Sequence, residues 1–430
     1  MTQLWRRPLH AGLEVLDGER PAAATLWGWR CFQVALLLLP ASALLAGLLL
    51  LVALILGSRQ PTAWRDDRVN WWLGGIGLWM VLGCFAASSG WLAWVGLGNW
   101  LPFFWAFWGF QPYLATPEAR RRVALWLVAG TVPVLGTGFG QMVLGWSGPY
   151  ELLGGAIVWW IRGGGNPPGR LSGLFDYANI TAAWLALSWP LVLAAFLQHC
   201  RRWRSGPVAF GLWGISFALV VTQVAEMLAT DSRNGWGALV LAVPIVLGPG
   251  RWIWLVPLLL LALLPVALAT LPGVPALIQA PLREIVPQSI WGRLNDFNSH
   301  GERPLALTRL SQWGTAVGLI GERPWLGWGA AAFSVIYPLR TGHWHGHPHN
   351  IALDLALSHG LPVAIGLVGL VLWLLIRGVR LGMASGALFE RAWWAAALVL
   401  VVLHATDIPM YDSRLNIAGW ILLAGLRCRR

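Results

Sequence analysis

The chain contains no lysine; all thirty of its basic residues are arginine. Charge of either sign is scarce, 11% of residues against about 25% in an ordinary soluble domain. That scarcity excludes a solvated globular protein of 430 residues. The four cysteines, Cys31, Cys84, Cys200 and Cys428, have no metal-ligand spacing and lie in or beside apolar runs, so free thiols are expected and no disulfide. No Asp-x-Asp pair stands in a polar connection to hold Mg²⁺ or Mn²⁺, and no Walker or dinucleotide glycine pattern is present. Nucleotide-sugar chemistry and ATP-driven transport are thereby disfavoured, and no cofactor is expected. The arginines are dispersed at the ends of apolar runs rather than gathered in one stripe, which argues against nucleic acid as a partner.

What the chain does have is a repeated apolar run of about 20 residues, the length of a membrane helix. The runs fall at 24–40, 41–57, 70–88, 91–111, 122–144, 177–198, 208–230, 235–249, 252–271, 349–376, 391–408 and 413–427. They predict an all-α polytopic membrane protein of about twelve transmembrane helices. The first two runs form a short hairpin around Pro40, with a single tilted span as the competing reading. The polar stretch before them is too long for a cleavable signal. Arginine clusters at 59–68, 120–122, 201–204, Arg251, 377–380 and 427–430 all fall on one side if successive spans alternate. The positive-inside bias then puts both termini in the cytoplasm. The division expected is a bundle over 1–271, an extracytoplasmic loop subdomain over 272–348, and C-terminal membrane helices over 349–430. That loop holds Arg283, Arg293, Arg303, Arg309, Arg323 and Arg340, which topology does not explain. Arginine's planar fork suits phosphate, so an anionic lipid-linked substrate is a suspect.

His347-Pro348-His349-Asn350, with Gly360 ten positions on, stands where this loop re-enters the membrane. An imidazole there can take a proton from a hydroxyl near neutral pH, and Asn350 can cap the helix that follows. An interfacial histidine held by hydrogen bonds is the plainer alternative. His343, His345 and His347 alternate as metal ligands sometimes do, but no neighbouring cysteine or carboxylate completes a set, so no metal is expected. Arg233, in Asp231-Ser232-Arg233, can clamp a diphosphate or snorkel to lipid phosphate. Arg309 opens a stretch in which Leu310, Trp313, Val317 and Ile320 have helical spacing, the pattern of a helix lying on the membrane surface. Arg170 and Asn179 flank the segment leading into the run at 177; Asn179 is a phosphate or hydroxyl contact or a helix cap. Gln223 and Glu226 lie within a span, where an unpaired carboxylate is costly. His404, Asp407, Asp412 and Arg414 cluster between the last two runs, where internal ion pairing is expected.

Taken together, these residues resemble the O-antigen ligase family, polytopic glycosyltransferases that share a domain with O-antigen polymerases. The likeness rests on His349-Asn350 with Gly360, on Ser232-Arg233, and on Arg309 ahead of Pro324-Trp325-Leu326-Gly327-Trp328-Gly329. Phe175 to Asn179 is similar to the family's segment before a middle span, and the resemblance covers roughly 170–375. Val363 departs from the family's usual small residue, and the tail from His404 resembles a cyanobacterial branch sometimes labelled bicarbonate transporters. The resemblance implies a GT-C-like fold and an inverting, metal-independent glycosyl transfer on the periplasmic face of the inner membrane. The donor would be an undecaprenyl-diphosphate-linked glycan and the acceptor a hydroxyl on lipid A-core or similar. His349 would be catalytic, with Arg233, Arg309, Asn350, Asn179 and Arg170 binding substrate. A polymerase of lipid-linked repeats shares the donor chemistry. A transporter of a small anion such as bicarbonate is the rival from another class, but it should place its polar residues near the bilayer midplane.

Overall fold

The computed structural model describes residues 19–59, 64–294 and 308–428, and within them the chain is nearly all helical. Arg6, Arg7, Arg303, Arg429 and Arg430 lie outside the described residues. The first apolar run is two helices, α1 (Leu26–Leu38) and α2 (Ala43–Gly57), packed on each other across the turn at Pro40. After α3 (Arg68–Phe85), the run expected over 91–111 is broken into α4 (Trp91–Gly96) and α5 (Leu101–Gly109), with a 3-10 turn between them and Pro102 in the first turn of the second. Next comes α6 (Pro117–Val143), then a small antiparallel hairpin, β1 (Tyr150–Leu152) and β2 (Ile157–Trp159), which departs from the all-α expectation. Then follow α7 (Ala178–Cys200), α8 (Pro207–Ala229), α9 (Arg233–Leu247) and α10 (Trp252–Thr270). The connection 272–348 carries α11 (Ala276–Ile285), α12 (Gln288–Leu294), α13 (Arg309–Glu322) and α14 (Ala332–Thr341). The last four helices are α15 (Ile351–His359), α16 (Leu361–Arg380), α17 (Leu388–Leu403) and α18 (Ser413–Arg427).

Among the described residues, five helices are long and apolar enough to cross a membrane: α6, α7, α8, α10 with its leading turn (Pro249–Thr270), and α16. The other runs form shorter or less apolar helices. At about 1.5 Å per residue, the 13 residues of α1 reach about 20 Å against a hydrocarbon core of about 30 Å.

Arginine-bearing connections gather at one end of the bundle. Arg120 makes a buried two-point pair with Glu390, joining the starts of α6 and α17. Arg121 reaches Gln198 at the end of α7, and Arg391 donates to the Val246 carbonyl at the end of α9. Arg427 meets Asp67 and Asn70 at the start of α3, and Arg377 donates to the Arg427 carbonyl. Arg391 and Arg377 thereby satisfy carbonyls at helix ends that have no intrahelical partner, and the others tie helix ends together through side chains.

The run expected as one helix from 349 is broken at Gly360, whose φ is +88°. A Cβ there would fall 1.9 Å from the Trp325 carbonyl oxygen, so no other residue fits. The break leaves backbone groups needing partners, and the Pro324–Gly329 segment supplies them. Trp328 N–H donates to the Leu357 carbonyl (2.7 Å), Gly329 N–H to Ser358 (3.0 Å), and Leu361 N–H to the Pro324 carbonyl (2.8 Å). The helix α13 is thereby fixed beside α15. Its buried stripe is Gln312, Ala316, Leu319 and Ile320, while Leu310 and Val317 are exposed. The apolar face read from the sequence is thus only partly the face that packs.

Candidate functional site

At the opposite end of the bundle, segments far apart in the chain converge: 170–179 before α7, the turn between α8 and α9, the start of α13, residues 343–351, and the connection between α17 and α18. His349 stands one residue before the cap of α15 with φ +53°, a left-handed conformation that costs a residue with a Cβ. Its surroundings hold it there. Asn350 caps α15, its Oδ1 accepting from Leu353 N–H (3.1 Å) while its Nδ2 donates to the Ala405 carbonyl (3.0 Å). Ile351 N–H donates to the His404 carbonyl (2.9 Å), and Trp313 Nε1 to the Pro348 carbonyl (2.9 Å). Both ends of the Asn350 amide are therefore engaged by backbone.

His349 Nδ1 lies 2.9 Å from Asp407 Oδ1, a carboxylate 58 positions later in the chain. Burial alone would push the Asp407 carboxyl up. The hydrogen bond from His349, the charges of His349 and His347, and the Ile408 N–H (2.9 Å) outweigh it and bring the group down to about 2. An ionised carboxylate only accepts, so Nδ1 carries a hydrogen, and in the neutral ring the lone pair is then at Nε2. Asp407 is also approached by Asn179, whose Nδ2 lies 3.4 Å from Oδ2. Asn179 Oδ1 accepts from Arg170 (2.7 Å), and Arg170 Nε donates to the Thr230 carbonyl (2.8 Å). A continuous polar chain thus runs from His349 through Asp407, Asn179 and Arg170 to the turn that carries Arg233. Asn179 is not the cap of α7, because Tyr177 occupies that position.

His347 is the nearest neighbour of His349, with ring centroids 4.4 Å apart. Its Nδ1 accepts from the His349 N–H (3.2 Å). Burial pushes its pKa down to about 4, helped by the positive charge of His349, opposed by Asp407, and helped further by His345 and Arg309. That last contribution places the Arg309 charge within electrostatic reach of His347. Tyr411 lies beside His347, ring centroids 5.5 Å apart, and its hydroxyl donates to Asp354 of α15 (2.5 Å).

The two arginines share a local design. Arg233 is the first residue of α9 behind the cap Ser232, and Arg309 the first of α13 behind the cap Thr308. Each couples a guanidinium to a helix N-terminus, where backbone N–H groups and the helix dipole favour an anion. Other loop arginines are used within the protein. Arg283 donates to the Ala269 carbonyl and stacks on Trp291, Arg323 donates to Ala86 and stacks on Trp328, and Arg340 pairs with Glu322.

Sequence reasoning missed Asp407 as a site residue by assigning 404–414 to internal pairing. Asp412 does pair within that connection, with Arg414, whereas Asp407 pairs outside it, with His349. The available signal was a carboxylate in a connection expected on the same side as His349. Glu226 packs its carboxyl against Gly138 of α6, where a Cβ would fall 2.5 Å away. Beside the site, a cavity of about 270 Å³ begins at Asn350, His404 and Ala405 and runs between α15, α16, α17 and α18. Apart from Asn416 its remaining walls are apolar, with Leu355, Leu374, Leu400 and Trp420 among them.

Residues 218–368 match the family model described as O-antigen ligase, which supports the resemblance carried by the motifs. The matched stretch, which holds Arg233, Arg309 and His349, is similar to that family. No curated protein matches the chain at a significant level.

Proposed function

We propose that this O-antigen ligase-type membrane protein transfers a glycan from undecaprenyl diphosphate to a hydroxyl of lipid A-core or a similar acceptor, at the periplasmic face of the inner membrane. The chain makes about twelve passes, with both termini and the arginine-laden end in the cytoplasm. His349 accepts the acceptor proton at Nε2, the acceptor oxygen attacks the anomeric carbon, and the bond from that carbon to the diphosphate oxygen breaks. The lipid diphosphate leaves with the bonding pair and the anomeric configuration inverts. Arg233 and Arg309, each reinforced by a helix N-terminus, hold the diphosphate charge that a metal would otherwise balance. Arg170 and Asn179 hold Asp407 in place and border the donor, and Asn350 fixes the entry of α15.

The observation that carries this reading is the 2.9 Å contact of His349 with Asp407, which engages Nδ1 and leaves Nε2 for the acceptor, while the charge of Arg309 is felt at the neighbouring His347. The apolar cavity starting beside Asn350 suits the hydrocarbon of a lipid carrier. Polar residues gather at one end of the helices rather than half-way along them, which favours surface chemistry over anion transport.

The full chain in proteoliposomes, given lipid-diphosphate-linked glycan and lipid A-core, is expected to form the joined product. His349→Ala should lower the rate by about 10²–10⁴-fold, the range for a lost general base. Products made of donor repeats joined to each other would instead assign a polymerase. Anion uptake by the same vesicles without any glycan transfer would overturn the reading.

A further inference from the structure

No carboxylate stands near the alternating histidines in sequence to complete a metal-ligand set; the fold brings one. His347, His349 and Asp407 each offer a ligand atom, and these atoms all lie within 4.8 Å of one another. We propose that these three side chains form a site for a divalent transition-metal ion, with Zn²⁺ the best match, and that its occupancy inhibits the protein by engaging the His349 imidazole. Metal binding stands on the ligand geometry alone; the inhibition rests on the function proposed above.

Two imidazoles and one carboxylate select zinc, cobalt, nickel or copper over magnesium and calcium, which prefer oxygen-rich sets. Zinc holds nitrogen and oxygen ligands at about 2.0–2.2 Å, so ligand atoms sharing one ion lie about 3–3.5 Å apart. His349 Nδ1 and Asp407 Oδ1, at 2.9 Å, already have that spacing. A small inward shift of His347 completes the trio. That residue lies beyond Gly342 and Gly346 in a segment without regular structure, while Trp313 holds the intervening Pro348 carbonyl. Three protein ligands leave a coordination position for water or a substrate oxygen. The negative charge of Asp407 offsets the positive charge that Arg309 exerts here. The Asp407 carboxylate that steadies the imidazole in the metal-free protein would become a ligand beside it, and the base would be lost.

The test uses the full chain in detergent, stripped of metal with a chelator and titrated with Co²⁺ and Zn²⁺. Cobalt visible absorption and equilibrium dialysis with metal analysis give stoichiometry and affinity. One ion per chain is expected. His347→Gln and Asp407→Asn should each weaken binding by about tenfold or more, since even an outer partner of a metal ligand is worth about 10–100-fold. His343→Ala, outside the trio, should bind as the parent does. Thermal melting of each variant separates a lost ligand from a lost fold. In the transfer assay Zn²⁺ should inhibit, a chelator should reverse it, and Mg²⁺ should do neither. No bound ion, or binding unchanged in both His347→Gln and Asp407→Asn, overturns the site. Binding without inhibition overturns only the regulatory half. A chain that binds zinc at these residues but transfers no glycan leaves the site standing and sinks the ligase reading instead.

Discussion

Replacing Asp407 with asparagine separates the charge of the His349 partner from its shape. When Nε2 takes a proton, the ring becomes a cation whose charge centre lies about 4 Å from the carboxylate. At an effective dielectric of about 20 such a pair is worth about 4 kcal/mol, or about 10³-fold in rate if it is felt only in the transition state. Asparagine presenting its carbonyl to Nδ1 keeps the tautomer and loses only that charge. Presenting its amide instead inverts the tautomer, a change that costs about 10⁴-fold in a serine-protease triad. We expect kcat to fall about 10²–10⁴-fold with the donor KM changed less than about threefold, because the lost interaction is one of the transition state. The assay is glycan transfer in proteoliposomes across a donor series, normalised to folded protein by thermal melting. The Asn179→Ala variant loses a longer contact, 3.4 Å, and should cost less. An Asp407→Asn protein that melts normally and keeps kcat within about threefold of the parent would refute the assignment of the pair.

Lysine in place of Arg309 or Arg233 keeps the charge but loses the fork, so each change should raise the donor KM about five- to tenfold; an unchanged KM removes that arginine from the headgroup site. Gly360→Ala places a Cβ against the Trp325 carbonyl and forces a left-handed backbone, and should destabilise by at least about 1–3 kcal/mol; a parental melting temperature contradicts the docking of Pro324–Gly329. Glu390→Ala strands the buried guanidinium of Arg120, which should cost about 3–5 kcal/mol in thermal unfolding without altering kcat per folded chain. Acid stability should fall in two steps. His347 protonates only near 4 in the folded chain against 6.5 ordinarily, so its contribution is complete above 6.5 and is lost as pH falls towards 4. Asp407, depressed from 3.8 to about 2, contributes above 3.8 and loses that as pH falls towards 2. His347→Gln should abolish the upper step, and melting curves from pH 7 to pH 3 that are identical for parent and variant would contradict it.

Hydropathy alone locates α1 to α10 and α15 to α18, whose long apolar runs suit a lipid environment, but not α11, α12 and α14 in the connection 272–348. It misplaces the breaks. Gly360 interrupts an unbroken apolar run, and the reason is the Trp325 carbonyl, which approaches from a segment over thirty positions earlier. The break after Gly96 is equally hidden among apolar residues. His349 was legible as a polar group at a helix entry, and Arg233 and Arg309 as arginines behind a serine and a threonine. Asp407 was not, because its use depends on a contact across 58 positions that no local pattern encodes. For the same reason Arg283, Arg323 and Arg340 look available in sequence and prove to be engaged, by the Ala269 and Ala86 carbonyls and by Glu322 respectively.

The polar chain that steadies the imidazole crosses the limits of the family match. Residues 218–368 carry His349, Arg233 and Arg309, but Arg170 and Asn179 precede that stretch and Asp407 follows it. Grafting the matched stretch alone into a distant relative would transplant the proposed base without its Asp407 partner, so an exchange between such proteins that tests it has to carry the helix pair α17–α18 along with it.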